Sequence, residues 1–316
     1  MTPEEIFDLL LPYSDERRTE FENGKRLAHY TSAAAAYQIL TNQEVWLRNA
    51  SMMNDFSEIQ HGIDCLGAAW RSRGGKQLRE MLDRIEPGLS ERIARLFDSN
   101  SFILQQNTFI VSLSEHDDNE DDYGRLSMWR AYGGSSGVAL ILNPTAFLSD
   151  TDEMKVFSAP VLYKSEVQFV EWFQDWATAV GKAEKELKGL GAETINNWIF
   201  GVFRIFALST KHPGFSEEKE WRVFHSPDYE GASPWVRSEI EIIKGIPQKI
   251  VKLKLFDDPN KSIMGVAPSR LVNRVIIGPC DYPLQVRDTI VAALEKAEVE
   301  DAANKVTISL IPLKHA

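Results

Sequence analysis

The amino-acid sequence predicts an α+β fold, and two observations favour it. The segments with strand patterns are short, are often bounded by turns and do not alternate regularly with helices, as they would in a doubly wound parallel sheet. Two long helical stretches, at about 55–98 and 165–211, interrupt the series of strands. We therefore expect one mixed sheet with helical insertions.

The chain has 316 residues, which suits about two domains or one large domain with insertions. We expect the second arrangement. Residues 1–24 form an N-terminal helix and connector, and residues 25–316 form a single α+β domain that contains both insertions.

Composition excludes several classes of protein. A hydrophobic content of 43% with 26% charged residues is that of an ordinary globular protein. The net charge of −11 disfavours broad, sequence-independent binding to phosphate backbones. The two cysteines form no CxxC motif and the six histidines have no ligand spacing, so we expect no metal. The acidic N-terminus and the lack of a long apolar run favour a cytoplasmic protein without a membrane span.

The first third of the chain predicts a compact unit followed by helices. Alanine-rich residues 33–40 favour a helix that Ser32 can cap. The neighbouring predicted elements are a helix at 3–11, a polar connector to residue 24, strands at 26–30 and 45–47, and a helix from about 54 to 73. Gly74 and Gly75 should end that helix, and Pro87-Gly88 should split the next one, at about 76–97, with Ser90 as the new cap.

The remaining elements alternate apolar strands with two aromatic helices. Apolar runs predict strands at 107–114, 138–142, 156–157, 161–163, 250–255, 275–277 and 306–311. Helices are expected at about 166–187, 192–211 and 284–297. The tryptophan and phenylalanine stripes at 165–211 are expected to form core, although they could also serve an oligomer interface.

One stretch has carboxylates placed for chemistry, because Glu218 and Glu220 stand at the mouth of a short apolar strand. Two residues apart on an extended chain, they would face the same side. Arg222, next on that face, could hold one of them and leave the other for a ligand. The alternative is a solvated loop before an edge strand, with a surface ion pair worth about 0–1 kcal/mol.

Other catalytic signatures are missing from the sequence. It contains no GxGxxG dinucleotide fingerprint, no P-loop, no HExxH and no GxSxG elbow. The constellation that remains consists of polar and aromatic residues at strand ends: His29, Tyr30, Thr31, Asn54, Asp55, Trp129, Tyr132, Glu218, Glu220 and Arg222.

These residues belong to motifs that occur in a family's order. The motifs are His29-Tyr30-Thr31 in a strand, Ile39-Leu40 ending a helix, Trp46-Leu47 in a strand, Asn54-Asp55 with Glu58, Ser112-Leu113-Ser114, Met128-Trp129 with Tyr132 before Gly137-Val138, Glu218 to Arg222, and Val275 to Pro279. Together they resemble the bacterial family known as domain of unknown function 2971. The resemblance spans about residues 26–295.

The first unit, and a glutamate directly before a short apolar strand, also resemble the ADP-ribosyltransferase fold, especially its DarT-type branch. This resemblance implies a split mixed sheet and NAD as the substrate. It implies that His29 bonds a ribose, with Tyr30 and Thr31 lining the same strand end. Glu220, or secondly Glu218, would be the catalytic acid. Trp129 or Tyr132 would stack on nicotinamide, and Asn54, Asp55 and Arg222 would hold the loop or the pyrophosphate.

The function that follows from the resemblance is an NAD-dependent ADP-ribosyltransferase-like enzyme. It would be a toxin or phage-defence effector that acts on nucleic acid or protein. The sequence departs from the DarT type because Asn54 to Glu58 stand where that type has an arginine-rich loop. The alternative is a catalytically inactive module of the same fold that binds a nucleotide or a partner.

Overall fold

A computed structural model describes residues 3–52, 57–148 and 151–312. Its helices are α1 Pro3–Leu10, α2 Pro12–Glu22, α3 Ala33–Asn42, α4 Ser57–Arg71, α5 Arg73–Ile85, α6 Leu89–Gln106, α7 Leu126–Met128, α8 Glu166–Lys182, α9 Glu184–Leu190, α10 Ala192–Ser209, α11 Pro227–Glu230, α12 Pro268–Leu271 and α13 Pro283–Lys296. Its strands are β1 Arg26–Ser32, β2 Glu44–Asn49, β3 Phe109–His116, β4 Ser136–Leu142, β5 Phe157–Pro160, β6 Leu162–Tyr163, β7 Thr210–Lys211, β8 Glu220–His225, β9 Val236–Ile243, β10 Ile246–Lys254, β11 Val272–Cys280 and β12 Val306–Ile308.

The chain divides into two compact units. Unit 1 comprises Met1–Arg17, Asn49–Thr108 and Ala159–Ser216, and unit 2 comprises Arg18–Arg48, Phe109–Ser158 and Glu217–Ala316. Helices dominate unit 1, and strands dominate unit 2. The structure is thus α+β, with a large mixed sheet and many helices, as the strand pattern predicts.

Unit 1 has an aromatic core. The rings of Phe173 and Trp176 lie 4.9 Å apart between centroids, and Trp176 and Phe206 lie 5.3 Å apart. All three side chains are buried. These aromatic residues of 165–211 therefore pack on one another inside unit 1.

Unit 2 is built on the sheet, which has ten strands in the described part of the chain. Eight of them run in the order β12-β11-β4-β1-β3-β2-β10-β9, and β8 pairs with β3. The ladder between β11 and β12 is parallel, whereas β4 pairs antiparallel with both β1 and β11. Apolar residues of α3 and α13 pack on one face of the sheet and share its main core.

Several local predictions need correction. The polar connector is in fact helix α2, because its charged residues are good helix formers. Gly74 and Gly75 lie inside α5, which Ser72 caps by accepting from the Gly75 amide. The cap of α6 is Gly88 with φ +82°, not Ser90.

Strand β9 has no counterpart among the predicted strands. Ser238 interrupts the alternation of apolar and charged residues in this strand, and the alternating stretch that remains, from Glu239 to Ile242, is short for a strand signal.

Within the described residues, no helix combines the length and the apolar character needed to cross a membrane. The same residues contain no group of three or more histidine, cysteine, aspartate or glutamate side chains arranged to hold a metal ion.

Candidate functional site

The candidate site lies where β1 and β3 separate. Strand β1 pairs with β3 at Arg26, Leu27 and Ala28, and this ladder ends at the Ala28–Ser114 pair. On its other side, β1 remains paired with β4 as far as Ser32. We call this place, beyond Ala28 on β1 and Ser114 on β3, the β1–β3 split.

Ser112 connects His29 and Glu220 at the split. The Nδ1 atom of His29 lies 3.1 Å from the carbonyl oxygen of Ser112. The hydroxyl of Ser112 donates a hydrogen bond of 2.5 Å to Oε1 of Glu220. Ser112 therefore contacts both His29 and Glu220, which are nearly two hundred positions apart in the chain.

The imidazole of His29 has a defined protonation pattern. A carbonyl oxygen can only accept, so Nδ1 carries the hydrogen and Nε2 is left as an acceptor. Burial lowers the pKa of His29, and the hydrogen bond to Ser112 opposes that shift without cancelling it. The ring is neutral at neutral pH and can accept a hydrogen bond from a hydroxyl group.

Glu220 is the first residue of β8 and is 5% exposed. Its Oε1 accepts from Nε of Arg222 at 2.8 Å, and its Oε2 accepts from Nη2 at 3.2 Å. Arg222 is likewise buried. The guanidinium that sequence analysis assigned to the loop or pyrophosphate therefore holds Glu220 in place.

Glu218 does not lie on the strand. It ends a 3₁₀ segment, Pro213–Glu218, and Lys219 then adopts a left-handed conformation with φ +44°. The expectation that Glu218 and Glu220 share one face of an extended chain is therefore wrong, because the turn at Lys219 reorients the backbone between them. Glu218 is partly exposed and accepts a 3.0 Å hydrogen bond from the hydroxyl of Tyr132.

Arg125 fastens the segment before β8 to β3. Its Nη1 donates to the hydroxyl of Ser114 at 2.8 Å, and that hydroxyl donates to the carbonyl oxygen of Glu218 at 2.5 Å. Further acceptors of the Arg125 guanidinium are the carbonyl oxygens of Glu115 and Glu217 and both carboxylate oxygens of Glu120. Burial alone would lower the pKa of Arg125, but the bond to Glu120 and its charge raise it.

The two candidate aromatic residues have different surroundings. The Trp129 side chain is 1% exposed, packs edge-on against Tyr30 at 4.8 Å and donates from Nε1 to the carbonyl of Tyr123. Neither face of its indole ring is open to a ligand, because the core of unit 2 encloses the side chain. Tyr132 is 41% exposed and is therefore the remaining stacking candidate.

Four other residues are predicted at the site, and the structure describes two of them, Tyr30 and Thr31. Tyr30 is buried, its hydroxyl accepts from the Arg125 amide, and burial raises its pKa to about 12. Thr31 is partly exposed on β1. Asn54 and Asp55 lie outside the described residues.

Comparison with known families gives one result. Residues 128–223 match the family model described as Protein of unknown function (DUF2971). This DUF2971 match supports the resemblance to that family over less than a third of the chain, and it includes Tyr132, Glu218, Glu220 and Arg222. His29 and Ser112 precede the matched residues. No curated protein and no solved structure matches the chain.

Sequence reasoning did not assign Ser112, Ser114 or Arg125 to the site. The two serines alternate with Leu113, so on a strand they face the same side, which was an available signal. Arg125 follows a run of acidic residues at 117–122 as a single basic residue, which could have indicated a buried ion pair.

Proposed function

We propose that unit 2 is an NAD-dependent ADP-ribosyltransferase-like enzyme. It would break the bond between nicotinamide and ribose and transfer ADP-ribose to a nucleic acid or a protein. The observation that supports this proposal is the link through Ser112, which brings an acceptor nitrogen and a carboxylate together at the β1–β3 split.

The chemistry requires a fixed negative charge near the ribose. When the C–N glycosidic bond breaks, its electron pair leaves with nicotinamide and positive charge develops on the ribose, as in glycoside hydrolysis. A carboxylate already in place stabilises that charge without reorganisation. Glu220 meets this requirement because Arg222 and Ser112 hold its two oxygens.

The neighbouring residues suit the rest of the ligand. Nε2 of neutral His29 would accept from a ribose hydroxyl. The exposed ring of Tyr132 would offer a face to the flat cationic nicotinamide. Glu218, bound to the Tyr132 hydroxyl, is the second candidate for the catalytic carboxylate.

One observation favours a second candidate function, a nucleotide-binding module without turnover. Glu220 is almost fully buried and both of its oxygens have partners. In this second candidate, the Glu220 carboxylate holds β8 against β3, and His29 and Tyr132 bind the nucleotide. The module and the enzyme share the same ligand site.

Nicotinamide release from NAD tests the proposal. The wild-type protein should release nicotinamide, and Glu220→Gln should release it about 100-fold more slowly or less, because one electrostatic contact at a transition state is worth that much. Glu217→Gln is the matched control, since this neighbouring side chain is exposed. If Glu218→Gln slows nicotinamide release more than Glu220→Gln does, Glu218 is the catalytic carboxylate.

Two other outcomes would change the conclusion. Stabilisation of the protein by NAD or ADP-ribose in a thermal-shift assay, without nicotinamide release, would support the binding module. Neither stabilisation nor release, with nucleic acid and protein acceptors both present, would contradict both candidates.

A further inference from the structure

The buried imidazole of His116 directs one ring nitrogen at a carboxylate. His116 is the last residue of β3, and its side chain is fully enclosed. Its Nε2 lies 2.9 Å from Oδ1 of Asp121 and carries the hydrogen, because a carboxylate oxygen only accepts. Nδ1 is therefore an acceptor. It finds no donor among the described residues and lies 3.6 Å from Oε2 of Glu120, a second acceptor.

A proton taken up at Nδ1 of His116 would join these two acceptors. Both ring nitrogens would then donate, and the charge-assisted bond to Glu120 would draw its Oε2 closer to the ring. Burial lowers the pKa of His116, and the charge of Arg26 lowers it further, whereas Asp121 and Glu120 oppose this shift without cancelling it. The ring is therefore neutral at neutral pH and takes up its proton only in acid, below about pH 6.5.

The charges around a neutral His116 pair with one another. They come from β1, the 3₁₀ turn after β3, the loop that follows it and β11, and they are Arg26, Asp118, Glu120, Asp121, Arg125 and Arg274, with Lys25, Glu115, Asp117 and Lys219 beside them. Asp121, the partner of His116, also contacts Arg26 at 2.9 Å and Arg274 at 3.3 Å. A positive charge on His116 would therefore compete with these arginines for the same carboxylates.

Glu120 connects His116 to the candidate site, because it also binds Arg125. Its Oε1 accepts from Nε of Arg125 at 2.8 Å, and its Oε2 accepts from Nη2 at 3.1 Å. The other acceptors of this guanidinium are uncharged hydroxyl and carbonyl oxygens. The Arg125 side chain is only 11% exposed, so its charge needs the carboxylate of Glu120 nearby. If His116 takes a share of that carboxylate, Arg125 loses part of what keeps it in place.

We propose that His116 is a pH-sensitive switch: proton uptake at its Nδ1 withdraws Glu120 from Arg125 and thereby releases residues 217–219 before β8. The switch is closed at neutral pH and opens in mild acid. The released segment contains Glu218 and leads directly into Glu220, so the switch acts on the candidate site. It goes beyond the proposed function and does not depend on it, because neither proton uptake nor release of the segment requires NAD.

An NMR titration of the imidazole resonances tests the link between His116 and Arg125. The His116 ring should take up a proton as the pH falls, before the protein unfolds. Because coupling between two sites is reciprocal, Arg125→Gln should raise the pKa of His116, and Glu120→Gln should lower it by removing the facing negative charge. Arg287→Gln on α13 is the control and should leave this pKa unchanged. Shifts of the same sign in the two variants, or no titration of His116 before unfolding, would overturn the proposal.

Amide hydrogen exchange tests the release of the segment. Between neutral pH and a pH below the measured His116 pKa, the protection factors at residues 217–219 should fall about tenfold or more, and further than those at the centre of β4. His116→Gln cannot gain the charge and should keep this protection at both pH values. His212→Gln is the matched control, because this histidine is exposed and belongs to unit 1, and it should respond as the wild type does. An equal loss of protection in the wild type and in His116→Gln would contradict the switch.

Discussion

Glu220 and Arg222 form an ion pair that is buried on both sides. The side chains are adjacent on the same face of β8, and their contacts measure 2.8 and 3.2 Å. A buried pair gives little net stability compared with apolar residues, yet removing one partner leaves an unpaired charge in the interior. The pair therefore makes β8 sensitive to single substitutions.

We expect Arg222→Met to lower the free energy of unfolding by about 3–5 kcal/mol, since it leaves the Glu220 carboxylate buried without its partner. Adding Glu220→Gln should recover part of this loss, because the uncompensated charge is then gone. Urea unfolding of the two single variants and the double variant measures the coupling. Additive losses would show that the pair is not coupled.

Arg125 should keep the segment before β8, at residues 217–219, in a fixed conformation. Arg125→Lys keeps the charge but cannot reach Ser114, Glu115 and Glu217 with one ammonium group, since lysine lacks the planar fork. We expect faster amide hydrogen exchange at residues 217–220 in this variant. The change should be confined to that segment and to the ends of β1 and β3. An equal increase in the amide exchange rate throughout unit 2 would instead indicate a general loss of stability.

The fold should lose stability in mild acid. Burial lowers the folded-state pKa of both His29 and His116, so the unfolded chain binds protons that the folded one excludes. Stability is full above the unfolded value of about 6.5 and declines as the pH falls towards the folded-state pKa. His29→Gln should reduce the slope of unfolding free energy against pH, with His116 accounting for part of what remains. The same slope in the variant would contradict this assignment.

The glycine at 278 should be intolerant of alanine. A Cβ there would lie 2.8 Å from two carbons of the Trp129 ring and 3.1 Å from the carbonyl oxygen of Gly137. We expect Gly278→Ala to cost about 1–3 kcal/mol by overpacking. Gly189→Ala is the control, because nothing lies within 4 Å of its Cβ and it sits on helix α9. There alanine should stabilise the protein by about 0.5–1 kcal/mol, so a loss at Gly189 as large as that at Gly278 would contradict the packing argument.

Local patterns in the sequence predicted much of the secondary structure, but they did not predict which distant residues contact one another. Ser32 caps α3 as expected, by accepting from the Ala35 amide. The apolar runs at β3, β4 and β11 indicated central strands, because burial on both faces removes the alternation. Such signals depend only on neighbours in the chain.

The parts that escaped prediction depend on distant residues. The left-handed conformation of Lys219 separates Glu218 from Glu220, and lysine gives no signal for it. The side chain of Lys219 instead bonds Asp117 at 2.9 Å, a contact across about a hundred residues. The burial of Trp129 follows from glycines at 124, 137 and 278 that close around its ring. The pairing of His29 with Ser112 depends on where β1 leaves β3.

Binding of NAD to a variant that cannot consume it tests the central claim most directly. Calorimetry with Glu220→Gln should show saturable binding of intact NAD. Adding His29→Phe should weaken that binding about tenfold or more, because a ribose hydroxyl would lose its acceptor. No binding of NAD to Glu220→Gln, or equal affinity with and without His29, would contradict a nucleotide site at the β1–β3 split.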